Sequence, residues 1–206
     1  MPREFPHKSK VSDGVGWPLE RRPELATCIA RVATFWSRIE ERLAQAIAQL
    51  MEAQPSAGMS LLQALPASND QLALARTLAR ERLDEAHCGR FEDLLRRYED
   101  AEWKRNKVVR GHWYVSDDHA DALVWADPAE ELSKATDFWT GFQAASAFGD
   151  QVKFARDYAR PRPEYLLFDK SDFETILEEI RGLGFALTDF ALEIAESRKQ
   201  PVTAES

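Results

Sequence analysis

The chain has little cysteine, no long apolar run and no excess of positive charge, and each shortage removes a class of protein. Only Cys28 and Cys88 occur in 206 residues. They fall in different helical segments, so neither a secreted disulfide framework nor a paired-cysteine zinc site is indicated. A reducing cytoplasm is the expected setting. No stretch approaches about 18 uninterrupted apolar residues, and Met1 to Pro18 mixes charge with proline and glycine, so neither export nor membrane spanning is expected. Acidic residues number 35 against 27 basic ones, which argues against binding long duplexes over the whole surface. A phosphate-cradling glycine loop, a nucleophile elbow and a zinc-protease helix are also missing. No metal or other cofactor is expected.

What the chain does have is helix-forming composition: 44% hydrophobic and 30% charged residues, as in a folded, mainly α protein. Its length suits one domain. Residues 1–22, punctuated by Pro2, Pro6, Gly14, Gly16 and Pro18, read as a flexible arm, residues 23–199 as a single helical domain, and 200–206 as a flexible tail. From Pro23, the positions Ile29, Val32, Trp36, Ile39, Leu43, Ile47 and Leu50 recur at the period of one helical face. Pro55 to Gly58 breaks that helix and Met59 to Leu65 forms a short apolar turn. Ser68 offers an N-cap for the next helix, which carries Leu72, Ala75, Leu78 and Leu83. Gly89 is expected to separate this from a further helix whose face carries Phe91, Leu94, Tyr98 and Ala101.

After Gly111 the period changes. Trp113 to Ser116 and Ala122 to Ala126 read as a β-hairpin about Asp117, Asp118 and His119. Residues 128–160 are less regular: Glu130 to Phe142 suits a helix, Gln151 to Phe154 a strand, and part of the segment suits a lid or a partner-binding insertion. Arg160 to Pro163 forms a break and Tyr165 to Phe168 another strand. Ser171 with Glu174 then makes a capping box for a last helix striped by Phe173, Ile176, Ile180, Leu183, Leu187, Phe190 and Ile194.

Chemistry concentrates between Arg105 and His112. Seven residues apart, on a continuous helix they share a face, and Phe91 and Tyr98 precede them at the same interval. A guanidinium in such a seam needs a carboxylate, carbonyl or phosphate. An imidazole, with an ordinary pKa of about 6.5, exchanges protons near neutrality. Together they suit RNA cleavage, in which a ribose 2′-hydroxyl attacks the adjacent phosphorus without a metal. Asn106 would orient the scissile group, while Lys104, Lys107 and Arg110 supply positive potential and Trp113 adjoins the site. Between Arg96 and His112 six basic residues face three acidic ones. The plainer alternative is that Arg105 pairs with an acidic side chain on a neighbouring helix and His112 merely starts a strand.

Other clusters are weaker. His112, Asp117, Asp118, His119 and Asp121 have metal-ligand chemistry, but the aspartates are more simply a solvated turn. His87 beside Cys88 lacks a second ligand pair. Trp103, Trp113, Trp125 and Trp139 suit base stacking or, more simply, core and dimer contacts.

On Arg105, Asn106 and His112, in the run Arg105-Asn106-Lys107-Val108-Val109-Arg110-Gly111-His112-Trp113, the chain resembles the HEPN superfamily. Its mark is an arginine late in a helix with a histidine a few residues beyond, and the match here is of the long-spacing form. The short strands and the capped last helix resemble bacterial members with such a hairpin. The resemblance implies a helical bundle and a homodimer whose paired Arg105 and His112 build one RNA-cleaving site. It also implies metal-independent activity in a toxin-antitoxin, phage-defence or stress setting, with a neutralising protein partner in some systems. One departure stands: the commoner pattern would place the histidine at Arg110. A non-catalytic RNA binder is the alternative if Gly111 ends the helix and displaces His112 from Arg105. A rival class is a helical interaction protein, an adaptor or antitoxin-like partner.

Overall fold

The computed structural model describes residues 2–6, 11, 17–65, 67–147 and 164–198. The strand expected at Gln151 to Phe154, the break at Arg160 to Pro163 and the tail from Gln200 lie outside them. The chain is mainly α with one small antiparallel sheet. Its elements are β1 (Arg3–Glu4), α1 (Pro23–Leu50), α2 (Pro55–Ala64), α3 (Ser68–Arg82), α4 (Glu85–Arg110), β2 (His112–Tyr114), β3 (Ala122–Ala126), α5 (Pro128–Ala147), β4 (Tyr165–Asp169) and α6 (Lys170–Ser197). Among the described residues no helix is long and apolar enough to cross a membrane. Two compact units emerge: residues 1–30 with 106–175, and residues 31–105 with 176–206.

The first unit is built on the sheet, ordered β1-β4-β3-β2. The expected hairpin forms, with His112 opposite Ala126, Trp113 opposite Trp125 and Tyr114 opposite Val124. All five residues of β3, Ala122 to Ala126, are apolar and buried, as suits an interior strand covered on both faces. Arg3 and Glu4, inside the expected arm, pair with Leu167 and Leu166. Phe5 anchors them by packing with Ala122, Val124 and Leu167, so two exposed residues hold an edge that composition alone would leave loose.

Helix boundaries follow caps more than glycines. The Ser171–Glu174 capping box is displaced by two residues: Asp169 Oδ1 accepts the backbone N–H groups of Ser171 and Asp172 at 2.9 and 3.2 Å, while Asp172 Oδ2 accepts that of Asp169 at 3.1 Å. Asp169 ends β4, and its carboxylate therefore reaches the first free donors of the helix. At the head of α5, Asp127 Oδ1 accepts the N–H groups of Ala129 and Glu130, with Pro128 preset at the first position.

In the second unit, Trp36 and Tyr98 rings pack at 4.9 Å and Phe91 stacks on Phe190 at 4.9 Å. Burial pushes the Tyr98 hydroxyl pKa well up. Met59 to Ala64 is helical rather than a turn, because Pro55 initiates α2, and Leu65 is its extended C-cap. Ser68 does not cap α3; the N-cap is Ala67, and the Ser68 hydroxyl donates to Glu102 at 2.7 Å instead. Nor does Gly89 interrupt α4. The break falls at Asp84, whose carboxylate accepts the His87 N–H at 2.9 Å. The end of α1 closes through Glu52 at φ 55°, with Ala53 N–H donating to Ala48 O and Glu52 N–H to Gln49 O, the pattern of a Schellman motif.

Acid should weaken the fold. Asp84 is held below the usual carboxylate range by the His87 N–H and then its ring, Glu193 by Arg90 and then His87, and Asp169 chiefly by Ser171. Since each folded value lies below the unfolded one, the stabilisation is present above about pH 4 and is lost as pH falls through the folded values. Urea midpoints at pH 6 and pH 3 should therefore differ, with the lower midpoint at pH 3.

Candidate functional site

Helix α4 stops at Arg110, and this corrects the shared-face geometry expected for Arg105 and His112. Gly111 sets the stop. A Cβ there would lie 1.7 Å from Trp125 Nε1 and 2.8 Å from Lys107 O, so only glycine admits the indole. Trp125 Nε1 donates to Lys107 O at 2.7 Å and Trp113 Nε1 donates to Val108 O at 3.1 Å. Lys107 O also accepts the Gly111 backbone N–H at 3.1 Å, so Trp125 adds a second bond there, while Trp113 meets a last-turn carbonyl of the kind a helix end leaves without an intrahelical partner. His112 then opens β2 rather than extending the helix.

The first unit gathers most of the sequence-marked residues. Lys107 is half-buried with Nζ 4.5 Å from the centroid of the Trp125 ring, a cation–π contact. Burial lowers its pKa, against the opposing pull of Asp127 and Glu164. Asn106 is half-buried and Arg110 exposed. Trp113 has a packing role, its ring meeting Phe168 at 5.3 Å and Phe173 at 5.7 Å. Asp117 pairs with Arg21 at 3.0 Å, and the His119 ring lies edge-on to Phe5, so the aspartate run forms the hairpin turn. Among the described residues no three His, Cys, Asp or Glu side chains are grouped to hold a metal.

His112 is held by a residue that spacing did not reveal. Its Nδ1 lies 2.6 Å from Glu131 Oε2, and the same carboxylate accepts the Tyr114 hydroxyl at 2.8 and 3.0 Å. The Glu131 side chain is 19% exposed and that of His112 56%, so the carboxylate is inward and the imidazole outward. The register of the folded hairpin, with His112 opposite Ala126, brings the strand beside the first turn of α5, which carries Glu131. His87, in the second unit, differs in having both ring nitrogens against carboxylates, Nδ1 on Asp84 and Nε2 on Glu193.

Arg105 and Lys104 belong to the second unit. Arg105 is half-buried, and its positive charge favours ionisation of Tyr98, seven residues earlier. Lys104 Nζ meets Glu179 Oε2 at 2.5 Å in a shallow cleft shared with Arg97 and Asp100, which reduces the positive potential expected there.

No family model, no curated protein and no solved structure matches this chain.

Proposed function

We propose that this chain is an RNA-binding protein of HEPN type and a metal-independent endoribonuclease acting as a homodimer with a composite site. The observation that carries the reading is the outward-facing His112, oriented through Nδ1 by Glu131. A neutral imidazole so held presents Nε2 as a base. In the proposed reaction Nε2 takes the proton of a ribose 2′-hydroxyl as its oxygen bonds to the adjacent phosphorus. The bond to the 5′-oxygen breaks and that oxygen takes a proton from water, leaving 2′,3′-cyclic phosphate and 5′-hydroxyl ends. Arg105 would hold the scissile phosphate, Asn106 would support it, and Lys107 and Arg110 would attract the backbone. A toxin, phage-defence or stress role, with a neutralising partner, follows from the resemblance alone.

Retention of single-stranded RNA on a filter over a series of salt concentrations tests the binding half. Affinity should fall as salt rises, and Arg110→Ala should weaken binding to all sequences alike and flatten the log–log slope by about 0.7. Salt-independent retention would contradict phosphate recognition.

A second reading, a helical interaction protein, is favoured by α5, where Leu132 and Trp139 are 70% and 59% exposed and seven residues apart on one face. Failure to retain RNA at low salt would favour it.

A further inference from the structure

Four histidines occur in the chain, and His87 and His112 show opposite uses of the same ring. With carboxylates at both nitrogens, His87 is a clamp between Asp84 and Glu193 and offers no open nitrogen. For His112 one nitrogen is engaged, and Nε2 has no hydrogen-bond partner among the described residues. A carboxylate beside Nδ1 accepts a hydrogen bond and cannot donate one, so it selects the neutral ring that carries its proton on Nδ1. A carboxylate free to rotate would do this weakly. That of Glu131 is not free: Tyr114, two residues beyond His112 on the same strand, donates its hydroxyl to both carboxylate oxygens. The alternation of a strand puts residues 112 and 114 on one face, and the first turn of α5 carries Glu131 to that face.

We infer that Glu131 is a positioning residue, steadied by Tyr114, which fixes His112 in the Nδ1-protonated form and leaves Nε2 as the base of the site. The inference rests on the ribonuclease reading for its purpose, but its chemistry is separately measurable. The division of labour is that of an acid behind an imidazole in other acyl and phosphoryl transfer sites: the carboxylate holds the ring and its tautomer without itself touching substrate.

The test uses full-length protein labelled with nitrogen-15 in its histidines, with His112→Ala to assign the His112 signals. Long-range proton–nitrogen correlations, recorded at a pH above which the signals no longer move, report which nitrogen carries the proton. Wild-type His112 should be protonated at Nδ1. In Glu131→Ala the Nε2-protonated form should dominate, and Tyr114→Phe should give a mixture. With single-stranded RNA, Glu131→Ala should lower kcat by about 10²-fold while KM changes little, and Glu131→Asp should recover part of the loss. An Nε2-protonated wild-type ring, or a tautomer unmoved by Glu131→Ala, would overturn the inference. If the tautomer shifts as expected but the wild-type protein cleaves no RNA, the positioning role holds and the ribonuclease reading falls.

Discussion

His112→Ala should lower the rate of RNA cleavage by about 10²- to 10⁴-fold, the usual contribution of a positioned general base, with RNA retention and the helical circular dichroism unchanged. The expectation of an intact fold comes from the position of the side chain. His112 is exposed at the start of a three-residue strand, and the pairing of β2 with β3 runs through backbone groups and through the buried β3, none of which needs the imidazole. Truncation leaves Glu131 with the Tyr114 hydroxyl as a donor on a side chain that water still reaches, so no unsatisfied buried charge is created. Loss of cleavage would then reflect lost proton transfer. Cleavage at the wild-type rate by the variant would remove His112 from the reaction, whatever the rest of the chain does.

The largest effect on stability should come from Gly58→Ala, and its sign should be opposite to that of Gly89→Ala. Both glycines lie within helices, where alanine is intrinsically better by about 1 kcal/mol. At Gly58 a methyl would stand 2.1 Å from the Ala44 carbonyl oxygen and 3.1 Å from the Ala48 Cβ. The obstacle is the backbone of α1, fixed by its own hydrogen bonds, so α2 has to move away as a unit and expose Leu62, now 4% exposed. Overpacking of this kind costs about 1–3 kcal/mol or more, which exceeds the propensity gain. At Gly89 nothing lies within 4 Å of the added carbon, and only the gain remains. Thermal or urea unfolding should place Gly58→Ala below wild type and Gly89→Ala slightly above it. Equal shifts would mean that α2 does not approach α1 as closely as described.

The same contrast explains what was legible in the sequence. The stripes of α1 and α6 announce themselves because Val32, Trp36, Ile39, Leu43 and Ile47, like Phe173, Ile180, Leu187 and Phe190, are buried at helical intervals. The hairpin was readable from its change of period at Gly111. An isolated glycine, by contrast, costs too little to stop a helix when a better cap lies nearby, and so α4 starts beyond Asp84 and passes through Gly89. Two carboxylates at Asp169 and Asp172 outcompete the serine and glutamate two residues on, and Ser68 finds Glu102 rather than its own backbone. Only the Ser68 outcome depends on a distant partner; at Asp84 and Asp169 local carboxylates compete with the glycine and serine signals within three residues.

Site residues divide in the same way. Arg105 and His112 stood out in the sequence because they continue the seven-residue interval of Phe91 and Tyr98, both buried, with Lys107 and Arg110 as basic neighbours; the end of the helix at Arg110 takes His112 off that face. The stop at Arg110 was visible only as a conditional, since it depends on Trp125 fitting against Gly111 from across the hairpin. Glu131 was not visible at all as a partner of His112: 19 residues separate them, and only the strand register and the Asp127–Pro128 helix start bring them together.

The most direct test of the central claim is incubation of the purified protein with mixed-length single-stranded RNA in EDTA, beside His112→Ala prepared identically. Cleavage by the wild-type protein alone, yielding 2′,3′-cyclic phosphate ends, is the predicted result. Absence of cleavage by the wild-type protein, or equal cleavage by both, would contradict a metal-independent ribonuclease with His112 in its site.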